Sequence, residues 1–369
     1  MLGLDIIAQD TMAFPWHQRT PVHGLRIVIP VGVALGIGAA TGHEAAGAIA
    51  AGAAYTVGFA AFHEALASDL LSMFLLTLGI ASGTLIGSLA APWVWTTLLV
   101  VGIAAVNYGI ASNLGPTAGW MAQQCAVYVI IATYFPNGLH FALGRSSMIL
   151  LGGTIQMAVT AIFRIFAPAA IRRQPGPTLG QIRGRILVLW HELLHDVQLR
   201  GATLGYILRL AFTLLLSTWV YKHYGVRSGY WAPMTAVLVL RPQWTGTMSR
   251  GLARLLGTMV AAGFALFLAQ FTPFPQPLVF VLIIVAAWAS YALQAVNYAA
   301  FSCFLTLYIV FLFRFGGFSQ SSAAHLRLFN TALGGALALL VDVLWLVFKP
   351  QRFLPQTREE TPILPPDGI

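Results

Sequence analysis

The sequence predicts an all-α, polytopic membrane protein of about twelve transmembrane helices in two parallel six-helix repeats. Three observations predict it. Hydrophobic residues make up 58% of the 369 positions and charged residues 8%, against about 25% charged in ordinary globular domains. Twelve long apolar runs cross the chain, separated by short polar segments. The runs of the second half line up with those of the first. A soluble chain of this length needs far more charge to stay in solution, so the bilayer is the expected solvent.

A crossing helix needs roughly 20 apolar residues, with about 17 as a minimum. The sequence places spans near 24–42, 46–62, 70–90, 93–113, 117–135 and 145–167, then 202–222, 228–241, 247–270, 276–294, 296–315 and 322–348. The second and eighth are short and carry Gly47 and Gly52, and Gly229 and Pro233. The runs are too long for barrel strands and lack their alternation. The expected organisation is 1–167 as a first transmembrane repeat, 168–201 as a cytoplasmic linker, 202–349 as a second repeat and 350–369 as a cytoplasmic tail.

The repeat shows in particular residues. Leu78-Gly79 precedes Leu256-Gly257 by 178 positions, and Cys125 precedes Cys303 by the same number. Arg145 followed by Leu151-Gly152-Gly153 recurs 182 later as Arg327 followed by Leu333-Gly334-Gly335. The drift of four residues implies one short insertion. An even number of spans per half starts the second half on the same side as the first. The expected relation is therefore an axis along the membrane normal. Gly79, Gly83 and Gly87 recur every four residues, as do Gly32, Gly36 and Ala40. Small residues on one stripe allow close helix contact. Cys125 and Cys303 fall inside apolar runs and read as free thiols.

The net charge of +9 comes from 18 Arg and 2 Lys. The Arg sit at run boundaries and form no continuous stripe, which argues against nucleic-acid binding. Arg172, Arg173, Arg183, Arg185, the 241–254 loop, the tail and Arg19 share one side, expected to be cytoplasmic with both termini. Lys222, Arg227 and Arg314 dissent from the other side. Asp5, Asp10, Pro15 and Pro21, with no basic residue ahead of the short apolar stretch, argue against a secretory signal peptide.

In the linker, Leu179, Ile182, Ile186, Leu189, Leu193 and Val197 mark an amphipathic helix. Its His191-Glu192-Leu193-Leu194-His195 matches a zinc-protease pattern. Both histidines lie opposite the apolar stripe and no third ligand is evident, so no metal, no cofactor and no enzymatic activity are expected.

The most distinctive stretch runs from Gly229 to Pro242 and on to Thr258. Pro233 inside a short span is expected to bend or break the helix. Arg250 and Arg254 lie one turn apart at the start of the next span. With Arg241 they form a cationic cluster near a helix N-terminus, a place that attracts carboxylates. Snorkelling anchors are the bland alternative. Asp342 lies within the last span, where a charge costs about 2.5–3.5 kcal/mol. Arg327 is 15 positions away on the same helix and cannot reach it, whereas Arg209 in the seventh span can. His43-Glu44 and His63-Glu64 read as solvated ends. Glu64 and Asp69 share the expected side of the arginine cluster and can face it.

Tyr230-Trp231-Ala232-Pro233-Met234-Thr235, then Pro242, then Arg250 to Thr258, resemble the signature of the fusaric acid resistance and aromatic acid exporter family. The resemblance is strongest over about 202–350. It implies an inner-membrane protein of bacteria that expels aromatic or other organic acids, in some relatives with a periplasmic adaptor subunit. Plant malate channels are distant relatives. Larger members carry a big cytoplasmic domain, in place of which this chain has a linker of 34 residues and a tail of 20.

The expected function is export of small organic anions, aromatic carboxylic acids first, with proton coupling. The substrate site is expected at Arg241, Arg250, Arg254, Tyr230, Trp231, Pro233 and Thr235, with the aromatic pair stacking on the ring. An interfacial aromatic belt is the alternative for that pair. Asp342 and Arg209 are the proton-coupling candidates. The expected partners are organic anions, lipid, a periplasmic adaptor and a second copy of the chain. A passive organic-anion channel and a substrate-free scaffold or biogenesis subunit remain as alternatives.

Overall fold

A computed structural model describes residues 13–62, 68–135, 138–166, 201–271 and 275–348, with isolated positions between 180 and 187. Among the described residues the architecture is all-helical, with no strand. In chain order the helices are α1 Pro21–Ala40, α2 Glu44–Phe59, α3 Asp69–Ala90, α4 Val94–Ala111, α5 Pro116–Ala132 and α6 Gly138–Phe166. They continue as α7 Gly201–His223, α8 Trp231–Val239, α9 Trp244–Ala269, α10 Gln276–Leu293, α11 Tyr298–Phe315 and α12 Gln320–Phe348. Each expected span contains one helix. Eight of them are long and apolar enough to cross a bilayer. α1, α2, α5 and α8 are shorter in length or in continuous apolar run.

The local chemistry of each boundary is readable. Ser68 caps α3 by accepting from the Leu71 amide, and Asn297 caps α11 by accepting from the Ala299 and Ala300 amides. Pro116 and Pro21 open their helices, where the missing N–H costs nothing. The connection between α7 and α8 needs positive φ at Gly225 and at Ser228, the one non-glycine described residue in that region of φ/ψ space.

The same pairs of helices pack in both halves. α1 on α2, α2 on α6, α3 on α5, α3 on α6 and α4 on α5 have counterparts in α7 on α8, α8 on α12, α9 on α11, α9 on α12 and α10 on α11. Between halves, α1 meets α10 as α4 meets α7, and α2 meets α11 as α5 meets α8. The closest approaches also correspond. A Cβ on Gly152 would lie 2.0 Å from the Ala50 carbonyl oxygen, and one on Gly334 would lie 2.2 Å from that of Ala232.

Two expectations about spacing are corrected. α4, α5 and α6 begin 182 residues before α10, α11 and α12. Cys125 and Cys303, 178 apart, are therefore offset by one helical turn and are not equivalents. The small-residue stripe of α1 makes no backbone seam either: Gly36 has open space where a Cβ would go, and α1 instead meets α2 through Gly38 against Gly47. On α3 the stripe does pack, with Gly79 against Cys125, and Gly83 and Gly87 against Val129.

Of the dissenting cations Lys222 has a local cause, and Arg145 nearby shares it. Lys222 donates to the carbonyls of Ala91 and Thr133, 2.9 Å each, at the C-terminal ends of α3 and α5. Arg145 donates to the Phe135 carbonyl at 2.9 Å and lies over its ring. A cation at a helix C-terminus meets the negative end of the dipole and otherwise unsatisfied carbonyls.

Candidate functional site

The site lies where α8, α9, α11 and α12 meet. α8 has nine residues, and all but Leu238 are buried, Pro233 and Thr235 included. A helix this short does not need to reach both faces when protein covers it. Pro233 does not break it. It occupies the third helical position, in the first turn, where an amide has no intrahelical acceptor in any case. The carbonyl of Gly229 that it leaves free accepts instead from the Ala232 amide at 3.0 Å. The short length comes from both ends: a tight turn before Trp231 and extended backbone at Leu240.

Tyr230 and Trp231 are 2% and 6% exposed, so they are core side chains and form no belt at the headgroups. Tyr230 packs on Tyr134, Phe135 and Trp231. Trp231 also meets Phe313 edge-on and has Arg327 over its face, the guanidinium carbon 3.8 Å from the ring centroid.

The connection from Leu240 to α9 is held by Thr247, whose hydroxyl accepts from the Arg241 amide at 3.0 Å. Arg241 points its guanidinium toward the Tyr108 hydroxyl, 3.5 Å away. Arg250 stacks over the Tyr298 ring at 4.7 Å. One turn deeper, Arg254 is 1% exposed and donates from Nη1 to the Ser302 hydroxyl at 3.1 Å. Its Nε and Nη2 have no hydrogen-bond partner. Tyr298 lies within range of the charges of Arg241, Arg250 and Arg254. The series therefore runs from the α8–α9 connection inward: Arg241, Arg250, Arg254, then Arg327 from the other end of α12.

Arg209 of α7 pairs with Asp342 of α12, both buried, and donates from Nη2 to the Pro242 carbonyl at 2.7 Å. Thr247 also sits against Asp342. The pair thus pins α7, α12 and the α8–α9 connection together. Arg209 Nε and Asp342 Oδ2 have no hydrogen-bond partner, and removing either charge would leave the other buried alone, which is strongly destabilising.

Carboxylates are scarce around this series. The described acids are Glu44, Asp69 and Asp342. Asp69 pairs with Arg164, Asp342 pairs with Arg209, and Glu44 lines a cavity of about 780 Å³ at the opposite end of the bundle with His43, His140, Arg145 and Arg314. No described carboxylate pairs with Arg241, Arg250, Arg254 or Arg327.

The structure strings the expected site residues along the bundle without gathering them: Arg250 lies on Tyr298 at the start of α11, whereas Trp231 lies on Phe313 near its other end and Tyr230 on Phe135. It adds Arg327, Tyr298, Ser302 and Tyr108, which the sequence reading did not assign to the site. Arg327 carries a signal, a charge inside an apolar run, which the sequence offers only as a marker of the repeat and a possible partner for Asp342. Glu64 and the His191–His195 pattern lie outside the described residues. Among the described residues no group of three or more His, Cys, Asp or Glu can hold a metal.

Residues 213–341, which contain this cluster, match the family described as fusaric acid resistance protein-like. The chain is 25% identical over 158 residues to inner membrane protein YccS of Escherichia coli, covering 42% of this chain and 22% of that one. It is 27% identical over 138 residues to an uncharacterized protein of Haemophilus influenzae, covering 37% and 19%. It is 22% identical over 157 residues to uncharacterized protein ORF2 of Neisseria gonorrhoeae, covering 42% and 37%. The matched stretch thus covers well under half of each relative. No solved structure matches the chain. Eight helices long and apolar enough to cross a bilayer, together with the likeness over 213–341, make this a multi-pass membrane protein.

Proposed function

We propose that this protein moves small organic anions, aromatic carboxylates first among them, out across an inner membrane, and that it is not an enzyme. One observation carries the reading: a series of arginines enters the membrane-spanning bundle with no described carboxylate to neutralise it. A buried guanidinium costs several kcal/mol unless it is paired. An anionic substrate supplies the missing partner, and the guanidinium edge suits a carboxylate. The fusaric acid resistance-like match agrees with transport.

In this reading the twelve helices form two parallel six-helix repeats, 1–167 and 202–349, with the short α8 enclosed within the bundle, joined by a linker at 168–201 and followed by a tail at 350–369. The recurrence of helix pairs and of the Gly152 and Gly334 contacts supports it. Both termini and the α8–α9 connection face the cytoplasm, so anions enter at Arg241 and Arg250. The cationic cavity beside Arg145 and Arg314 is the exit. Asp342 couples transport to protons by exchanging its bond to Arg209 for a proton. A periplasmic adaptor and a second copy of the chain complete the assembly.

The test is uptake of labelled benzoate into proteoliposomes, with and without a proton gradient. Flux that depends on the gradient supports a coupled exporter. Flux that ignores it makes the protein a passive channel with the same arginine lining. Absence of flux for a panel of organic acids removes the transport reading and leaves the substrate-free scaffold.

A further inference from the structure

Arg327 is the least compensated charge among the described residues. α12 carries it into the core, where it is 1% exposed. None of its three guanidinium nitrogens has a hydrogen-bond partner. What holds it is the face of Trp231, at 3.8 Å. A desolvated cation–π contact contributes about 2 kcal/mol. A guanidinium at the centre of a bilayer costs about 2.5–3.5 kcal/mol by insertion scales, and more by other measures. The stack does not offset that cost.

Arg254 shares the condition and adds to it. Its charge is close enough to that of Arg327 for the two to repel. Ser302 takes Nη1 of Arg254 and the Tyr298 hydroxyl lies against the same guanidinium, while Nε and Nη2 have no hydrogen-bond partner. The Nε–Nη2 edge presents two parallel N–H groups, the fork that binds a carboxylate in bidentate fashion. Arg327 has every edge open. The helices that carry them, α9 and α12, pack on each other, and the two charges lie within electrostatic range.

We propose that Arg254 and Arg327 are the two arms of one buried anion site, and that its preferred ligand carries two carboxylates. This rests on the transport reading and deepens it. A monocarboxylate neutralises one guanidinium and leaves the other buried and repelled. A dicarboxylate neutralises both and removes the repulsion as well. The face of Trp231 is the resting place of Arg327 when the site is empty, and the incoming anion draws the guanidinium off the ring.

The experiment compares benzoate with phthalate, the same ring with one or two carboxylates, at neutral pH. Binding to the detergent-purified full chain is measured by thermal shift for the wild type, R327M and R254M. The expected result in the wild type is phthalate binding at least about tenfold tighter than benzoate, about 1.4 kcal/mol. In R327M that preference falls to within about twofold. R327M without anion melts above the wild type, because an uncompensated buried charge has gone. R254M likewise loses the phthalate preference and serves if R327M does not fold. A phthalate preference that persists in either variant overturns the proposal, as does R327M melting below the wild type. Wild-type protein that moves benzoate but binds phthalate no better loses the two-carboxylate site and keeps its transport function. Wild-type protein that neither binds nor moves either anion loses both.

Discussion

The two halves of this protein are packed alike and charged differently. Gly152 lets α6 close on the backbone of α2 at Ala50, and Gly334 lets α12 close on α8 at Ala232. The residues that fill the remaining space diverge. Leu76, fully buried on α3, stands 178 residues before Arg254. Thr160 stands 182 before Asp342. Arg145 stands 182 before Arg327, but it reaches the Phe135 carbonyl at a helix end, while Arg327 is enclosed. The first half therefore shows what packing requires: small residues at crossings and apolar volume between. The second half shows what packing does not require. Buried cations weaken a bundle, so their concentration in one half is what the proposed anion site accounts for.

The comparison can be broken most forcefully at the glycine crossings. G152A and G334A each push a Cβ into a backbone carbonyl, which cannot move without moving its helix. Each is expected to cost more than the roughly 1–3 kcal/mol of ordinary overpacking and to abolish monodisperse protein on size exclusion. If G334A is tolerated while G152A is not, the halves are not packed alike.

The ion pairs come next. D342N leaves Arg209 buried with its charge unpaired and is expected to cost about 3–5 kcal/mol. The double variant R209M/D342L recovers most of the loss. In the first half the Asp69–Arg164 pair has its arginine side chain 38% exposed, and R164M is expected to cost about 1 kcal/mol or less. Thermal melts in detergent check both, and equal losses would erase the contrast.

The third prediction concerns flux. R254M is expected to reduce benzoate uptake into proteoliposomes at least about tenfold, about 1.4 kcal/mol at the barrier. L76M, at the matching place in the first half, leaves uptake within about twofold. An inert R254M removes the charge-handling role from the second half.

The smallest effect is at the mouth. Arg250 is half-buried and stacks on Tyr298. R250A is expected to raise the KM for benzoate a few-fold, most clearly below about 0.1 M salt, where a charge at the rim is least screened. S72A, 178 positions earlier, leaves KM unchanged. A salt-independent change in R250A would mean lost packing rather than lost attraction.

Much of this was legible in the chain, for identifiable reasons. Helices in lipid need long apolar runs, so the expected spans fall on the observed helices. Helical periodicity separated Asp342 from Arg327 and left Arg209 as the possible partner, and the two do pair. Arg254 was legible as deep because it stands ten residues into α9. Pro233 was misread because its effect depends on where a helix starts, and the tight turn before Trp231 moves that start to within two residues of it. The stripe on α1 was misread because spacing puts small residues on one face without saying what lies opposite.

Composition and spacing along the chain were enough for the membrane class, the helix order and the presence of charges at depth, because the cost of exposing polar groups to lipid acts on each segment separately. Which charges are neutralised is another matter. Arg209 with Asp342, Arg254 with Ser302 and Arg327 over Trp231 join residues 133, 48 and 96 positions apart. Only the packing of helices from distant parts of the chain decides such meetings, since electrostatic energy at membrane depth depends on the few ångströms between groups and not on their order in sequence.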